Sequence, residues 1–201
     1  MIQKWLGNQL KQPKGLLSKW IGLYMQRGNN SINRWTTDLL EIKENDVLLE
    51  VGIGNGSTIN RIVTNTSVGK VFGLDLSNEM IKEAAKLNKK QIKDGIVELH
   101  KGNIISLPYT DFVFDKVFSV HTIYFWPDIN QGFSEAHRVL KPGGKLFLSI
   151  MDKLQMEKMR RTKNFNLLNT EEIEELLKNN GFQIIKLHQK GVYWCIEATK
   201  F

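Results

Sequence analysis

The run Val47-Leu48-Leu49-Glu50-Val51-Gly52-Ile53-Gly54-Asn55-Gly56-Ser57 carries a short apolar segment into three alternating glycines and then into helix-forming sequence. The apolar residues read as a buried strand. Glycine admits positive φ and lets the backbone approach a ligand with no Cβ in the way. The helix that follows presents free N–H groups at its start. In open α/β sheets, ligands bind at such strand-to-helix turns, where the strand order reverses. The dinucleotide fingerprint G-x-G-x-x-G sets its third glycine one position later, and here that position is Ser57. Glu50 stands two residues before the first glycine. A carboxylate there disfavours a pyrophosphate and suits an ammonium or sulfonium group. A second acid, Asp75, ends the next strand 19 residues after Gly56, where a ribose diol would sit.

Working outward, further strands are expected at residues 71–74, 96–100, 116–120 and 145–150. Between them lie helices over residues 78–90, with Met80, Ile81, Ala84, Ala85 and Leu87 on one side, and over 131–140, stopped by Lys141-Pro142-Gly143-Gly144. Strands alternating with helices at this spacing imply βαβ units, hence a parallel sheet covered on both faces. The ending differs. Thr170 reads as an N-cap with Glu171 and Glu172 in the first turn, and the helix runs to Asn180, with Gly181 closing it. The runs 182–188 and 192–199 are joined by a short turn at Lys190-Gly191, which makes them antiparallel neighbours. The expected fold is α/β: a Rossmann-like, doubly wound, seven-stranded and mostly parallel sheet with an antiparallel C-terminal strand, preceded by N-terminal helices.

The N-terminal region has its own pattern. Leu16, Leu17, Trp20, Ile21, Tyr24 and Met25 fall on one face of a helix, and a second helix is expected over residues 31–40, burying Ile32, Trp35 and Leu39. The 201-residue chain holds 28 Lys and Arg against 21 Asp and Glu, a net charge of +7. Residues 1–37 contain six of those bases and no acid, which leaves 22 bases against 21 acids in the other 164 residues. The charge therefore describes a basic amphipathic arm or lid, residues 1–44, on a nearly neutral domain, residues 45–201. The composition, 41% hydrophobic and 24% charged, excludes a disordered chain. The single Cys195 excludes an intramolecular disulfide framework and a multi-cysteine zinc site, pointing to a reducing, cytoplasmic compartment. No apolar run approaches the roughly 20 residues that cross a bilayer, and the stretch from Trp20 to Met25 is too short for a signal-peptide core.

Glu50-x-Gly52-x-Gly54-x-Gly56 with Asp75 resembles the first motif and ribose acid of class I S-adenosylmethionine-dependent methyltransferases. Later landmarks agree in order: Gly102-Asn103-Ile104-Ile105-Ser106-Leu107-Pro108-Tyr109, Phe114-Asp115-Lys116-Val117 and Arg138-Val139-Leu140-Lys141-Pro142-Gly143-Gly144. The resemblance covers roughly residues 45–200, most closely the small-molecule branch that includes ubiquinone and menaquinone biosynthesis. It implies that Glu50 and the backbone of Gly52, Gly54 and Gly56 hold the methionine end of S-adenosyl-L-methionine. It implies that Asp75 takes the ribose hydroxyls and that Leu76 and Met80 line the adenine pocket, with Ile104 and Ser119 also at the cofactor. Asn103 stands where the family usually has Asp, and its side-chain carbonyl still accepts a hydrogen bond from the adenine amino group.

Methyl transfer is an in-line displacement on an activated carbon, so the protein mainly aligns the reactants and excludes water. The segment Ser119-Val120-His121-Thr122-Ile123-Tyr124-Phe125-Trp126-Pro127 is expected to face the methyl group. His121 can serve as a base near neutral pH and Tyr124 can orient the acceptor. Phe125 and Trp126 either stack a planar substrate or pack under the following helix. Tyr24 and Arg27 are the arm residues expected to reach the pocket, beside Trp126 as a substrate contact. Residues 151–169, with Lys153, Lys158, Arg160, Arg161, Lys163 and Met151, Met156 and Met159, offer a second, small lid. The histidines show no metal-ligand spacing, and no metal is expected.

The resulting expectation is methyl transfer to a small apolar or anionic acceptor by a monomer or homodimer. Two alternatives stand beside it. A nucleic-acid methyltransferase is disfavoured, because no Asn/Asp-Pro-Pro-Tyr/Phe motif follows the fourth strand and the bases do not interleave with aromatics. A membrane-associated cofactor-binding module without catalysis rests on the basic, apolar-striped arm, which suits an anionic lipid surface.

Overall fold

The structure is a computed structural model that describes the backbone from Ser18 to Phe201 and the side chains from Gly28 onward. The whole apolar stripe of the arm, with Tyr24, and the neighbouring Arg27 therefore lie outside the residues whose side chains are described. Helix α1 (Ser18–Leu39) is followed by β1 (Val47–Val51), α2 (Ser57–Asn65), β2 (Lys70–Asp75), α3 (Asn78–Leu87), α4 (Lys89–Lys93) and β3 (Val97–Lys101). Then come β4 (Phe114–Val120), α5 (Ile129–Val139), β5 (Leu140–Met151), α6 (Lys153–Glu157), α7 (Thr170–Asn179), β6 (Phe182–Lys190) and β7 (Tyr193–Lys200).

The seven strands form one sheet in the order β3-β2-β1-β4-β5-β7-β6. All neighbours are parallel except β7, which runs antiparallel to both β5 and β6. Strand order reverses between β1 and β4, so the glycine turn leaves the sheet at the switch point. Successive side chains of β1 feed opposite layers, as strand geometry requires. Leu48 packs with Ile59, Ile62 and Ala84 on the face of α2 and α3, while Leu49 and Val51 pack with Phe133 and Ala136 on the face of α5.

Three local expectations are corrected. The separate helices expected in the N-terminal region are one continuous helix from Ser18 to Leu39. Gly28 and the two asparagines after it weaken a helix without breaking it, as a proline would. The turns beyond them are held by burial of Ile32, Thr36 and Leu40. The helix expected over residues 78–90 stops at Leu87, because the fully buried Asn88 turns its side-chain N–H group onto the carbonyls of Ala84 (2.9 Å) and Gly56 (3.2 Å). The cap of α7 is Asn169 rather than Thr170: its side chain accepts from Glu172 N–H while Glu172 accepts from Asn169 N–H, each at 2.7 Å.

Helix α1 is fastened at two points, one to the sheet and one to α2. The Thr36 hydroxyl lies 2.6 Å from the Ser149 hydroxyl of β5, both buried. The guanidinium of Arg61 on α2 donates to the carbonyl of Asn33 (2.8 Å) and to the Thr37 hydroxyl (2.6 Å). Thr36→Val keeps the shape and leaves Ser149 with only the Cys195 thiol as a side-chain partner. A loss of about 1–3 kcal/mol is expected in denaturant unfolding. An unchanged midpoint would remove this contact from the account of how α1 is held.

Candidate functional site

A cavity opens at the C-terminal ends of β1, β2 and β4. Its walls come from the glycine turn, the β2–α3 and β3–β4 connections, the segment after β4, and one face of α1. The three glycines all have positive φ, but for different local reasons. A Cβ on Gly52 would lie 2.3 Å from the Thr122 methyl, and one on Gly56 would meet Ala84 and Asn88 at 2.7 and 2.8 Å. These two are closed by protein. Gly54, with φ of 53°, has nothing within 4 Å of the position a Cβ would take and lines the cavity. Its missing side chain leaves room on the ligand side.

Glu50 reaches this cavity from within β1, where it is only 4% exposed. Its carboxyl is pushed well above the usual range by burial, with Arg61 and a hydrogen bond from Thr58 opposing the shift. One of its two oxygens, Oε2, has no hydrogen-bond partner among the described residues. A buried carboxylate oxygen without a donor costs free energy until something supplies one. Asp75, at the end of β2, accepts N–H bonds from Gly54 (3.0 Å) and Ser77 (2.8 Å). Burial nevertheless lifts its carboxyl to about 6. Among the described residues no Lys or Arg lines the cavity, and the charged groups on its described walls are these two acids.

Leu76, Met80, Asn103 and Ile104 stand on the walls beyond Asp75, with Met80 and Ile104 buried. Asn103 carries its side-chain oxygen 3.4 Å from the N–H of Ile105. Across the cavity stand His121, Phe125 and Trp126. His121 holds φ at 58°, and burial pushes its imidazole down to about 4, so the ring is neutral at pH 7. Trp126 packs under the following helix and also lines the cavity. Its ring packs against Gly132 and Phe133 of α5, its N–H donates to Thr122 Oγ1 at 3.1 Å, and it still contributes to the wall.

Three residues expected at the site lie behind its surface instead. Gly56 packs on α3. Ser119 sits below the floor, donating to the Val51 carbonyl (3.0 Å) and paired with Thr122. Tyr124 is buried behind His121: its hydroxyl accepts from Met151 N–H (2.8 Å) and lies 3.4 Å from His121 Nδ1. Residues 151–169 back this layer, with Phe165 meeting Phe125 edge-on at 4.7 Å and stacking on Tyr124 at 6.2 Å. In that segment Lys158, Arg160, Arg161 and Lys163 are exposed, and Lys153 pairs with Glu172 at 3.0 Å. Sequence reasoning did not single out Asn29, Asn33, Thr58 or Thr122 as wall residues. Thr58 and Thr122 follow landmarks that were recognised. The two asparagines reach the cavity only through the docking of α1, which no local signal announces.

The family model described as a methyltransferase domain matches residues 49–148. YrhH of Bacillus subtilis (strain 168), which carries a methyltransferase name, is 30% identical over 174 residues, spanning 85% of this chain and 87% of that one. From the same organism, the uncharacterized methyltransferase YdaC is 30% identical over 168 residues, spanning 84% and 88%. Among solved structures, phosphoethanolamine N-methyltransferase 2 of Haemonchus contortus in complex with S-adenosyl-L-methionine shares the fold with a TM-score of 0.73. It is 21% identical, over 85% of this chain and 52% of that one.

The glycines yield a graded test. Gly56→Ala adds a clash with Ala84 Cβ and Asn88 Nδ2 to the strain of positive φ, and is expected to cost about 2–4 kcal/mol in thermal or denaturant unfolding. Gly54→Ala carries the strain alone, about 1 kcal/mol. Equal losses would contradict the assignment of Gly54 to open space.

Proposed function

Since the chain belongs to the class I S-adenosylmethionine-dependent methyltransferases, we propose that it transfers the methyl group to a small apolar acceptor held against Phe125 and Trp126. The observation that carries the cofactor side of this reading is the unpartnered Glu50 oxygen beside the open side of Gly54. An ammonium group is the complement such an oxygen lacks, and a backbone without a Cβ lets it approach. The residues present fit the cofactor. Glu50 takes the amino group of the methionine end, and Asp75 takes the ribose hydroxyls from a carboxylate already oriented by Gly54 and Ser77. Leu76, Met80 and Ile104 flank the adenine, and the Asn103 carbonyl accepts from its amino group.

When bound, the cofactor supplies a methyl carbon already activated by a sulfonium. The chain's remaining work is alignment and exclusion of water. Val120, Phe125 and Trp126 form a dry wall, and His121 adds a neutral ring. The described residues put no cation on the cavity wall, and its aromatic side suits an apolar acceptor better than an anionic one. Tyr124 fixes the His121 ring from behind, and His121 accepts the proton that the acceptor gives up. An imidazole held near 4 is a weak base, so this role suits an acceptor whose nucleophile needs little deprotonation.

The test is calorimetry with S-adenosylhomocysteine. Asp75→Ala is expected to weaken binding about 10- to 100-fold, the worth of hydrogen bonds to a charged acceptor. Unchanged affinity would overturn the cofactor assignment. A pH series gives an independent check. Ribose hydroxyls favour the ionised carboxyl, so binding lowers the Asp75 value from about 6. Affinity should therefore be flat for this group above pH 6 and fall below it, about tenfold by pH 5. Glu50, also raised in the free protein, contributes with the same sign. An affinity that rises on acidification would contradict both assignments.

A further inference from the structure

The zwitterionic end of the cofactor carries a carboxylate as well as an ammonium, and only one of these meets its complement in Glu50. Among the described residues, no Lys or Arg lines the cavity. Arg61, whose charge acts on Glu50, is engaged with the Asn33 carbonyl and the Thr37 hydroxyl. The donors that the described walls offer the carboxylate are therefore neutral.

Asn29 and Asn33 lie on the cavity wall with Glu50 and the glycine turn. They are four residues apart in α1, so their side chains share one helix face. Each is partly buried, and no side-chain hydrogen bond ties either amide to another described residue. Their position is fixed from outside the cavity: Arg61 grips the backbone of Asn33 itself, Thr36 is fastened to Ser149, and Ile32 is buried. Two amide side chains thus stand on one docked helix face, on a cavity whose described walls carry Glu50 and Asp75 and no cation.

We infer that Asn29 and Asn33 form a neutral subsite for the cofactor's α-carboxylate, and that the docked helix α1 is part of the cofactor site. The inference rests on reading the cavity as the S-adenosylmethionine site, and it extends that site to an element outside the glycine motif. A neutral subsite also fits the position: a lysine or arginine beside Glu50 would compete with the ammonium for the same carboxylate.

Two ligands separate this claim from the reading beneath it. S-adenosylhomocysteine carries the zwitterion, whereas 5′-methylthioadenosine has the same adenine and ribose without it. Asn33→Ala and Asn29→Ala should each weaken S-adenosylhomocysteine about tenfold and leave 5′-methylthioadenosine within about twofold, which also shows that the variants are folded. Asn33→Asp sets a like charge beside the carboxylate and should weaken S-adenosylhomocysteine further than Asn33→Ala. Equal loss for both ligands would mean that α1 acts only on the fold. No loss for either alanine variant would place the carboxylate elsewhere, such as the start of α2. Tighter binding by Asn33→Asp would put the ammonium there instead. Each of these three results overturns the subsite. Failure of the unmodified protein to bind either ligand would instead overturn the cofactor reading.

Discussion

The Glu50 carboxyl, set inside β1 with one oxygen left without a donor, is the constraint around which the rest of the site is arranged. A carboxylate in that position destabilises the fold unless it is neutralised or paired. The molecule leaves both options partly open. Burial favours the protonated form, while Arg61 and Thr58 work against burial. Asp75 repeats the pattern on the next strand, raised to about 6 despite its backbone N–H partners. A carboxyl whose folded value lies above its unfolded value binds its proton more tightly when folded. Asp75 therefore makes its most favourable contribution to stability below about pH 4, and loses it as pH rises through about 6. A cationic ligand with hydroxyl donors reverses that balance, so the site sacrifices stability in the free protein for affinity in the bound one.

The surrounding structure serves this arrangement. The Cβ positions of Gly52 and Gly56 are closed over by Thr122 and by Ala84 and Asn88, which fixes the turn, while that of Gly54 is open. Asn88 joins α3 to the carbonyl of Gly56, so the helix break at residue 88 and the glycine turn hold one another. On the other side, Arg61 and Thr36 bring α1 against the same end of the sheet. The acceptor wall is built in two layers, with His121, Phe125 and Trp126 at the surface and Tyr124 and Phe165 behind. The cavity thus separates a polar, acid-bearing end from an aromatic end, which is the division that the proposed methyl transfer requires.

The strand-and-glycine pattern was legible because its signals are local. A buried strand, alternating glycines and an acid at the end of the next strand each occupy a few consecutive residues. The parallel core and the antiparallel position of β7 followed from segment spacing and one short turn. What escaped depended on tertiary contacts. Gly28-Asn29-Asn30 looks like a boundary between helices, yet burial of Ile32, Thr36 and Leu40 carries the helix across it. Asn169 and Thr170 are both acceptable caps, and only the reciprocal bond with Glu172 decides between them. Tyr124 sits in a segment expected to face the methyl group, but the Met151 backbone draws its hydroxyl behind the wall. The charge of +7 pointed to the arm, and among the described side chains of α1 the ones that reach the cavity are two uncharged asparagines.

The central claim is that the Glu50–Gly54 corner receives the methionine end of S-adenosylmethionine while Asp75 receives the ribose. A crystal structure of the protein with S-adenosylhomocysteine bound tests it most directly. The account predicts the ligand's amino group within hydrogen-bond distance of the Glu50 carboxylate, both ribose hydroxyls on Asp75, and the sulfur directed toward His121 and Phe125. A ligand whose amino-acid end points away from Glu50, or an empty cavity at saturating ligand, would contradict it.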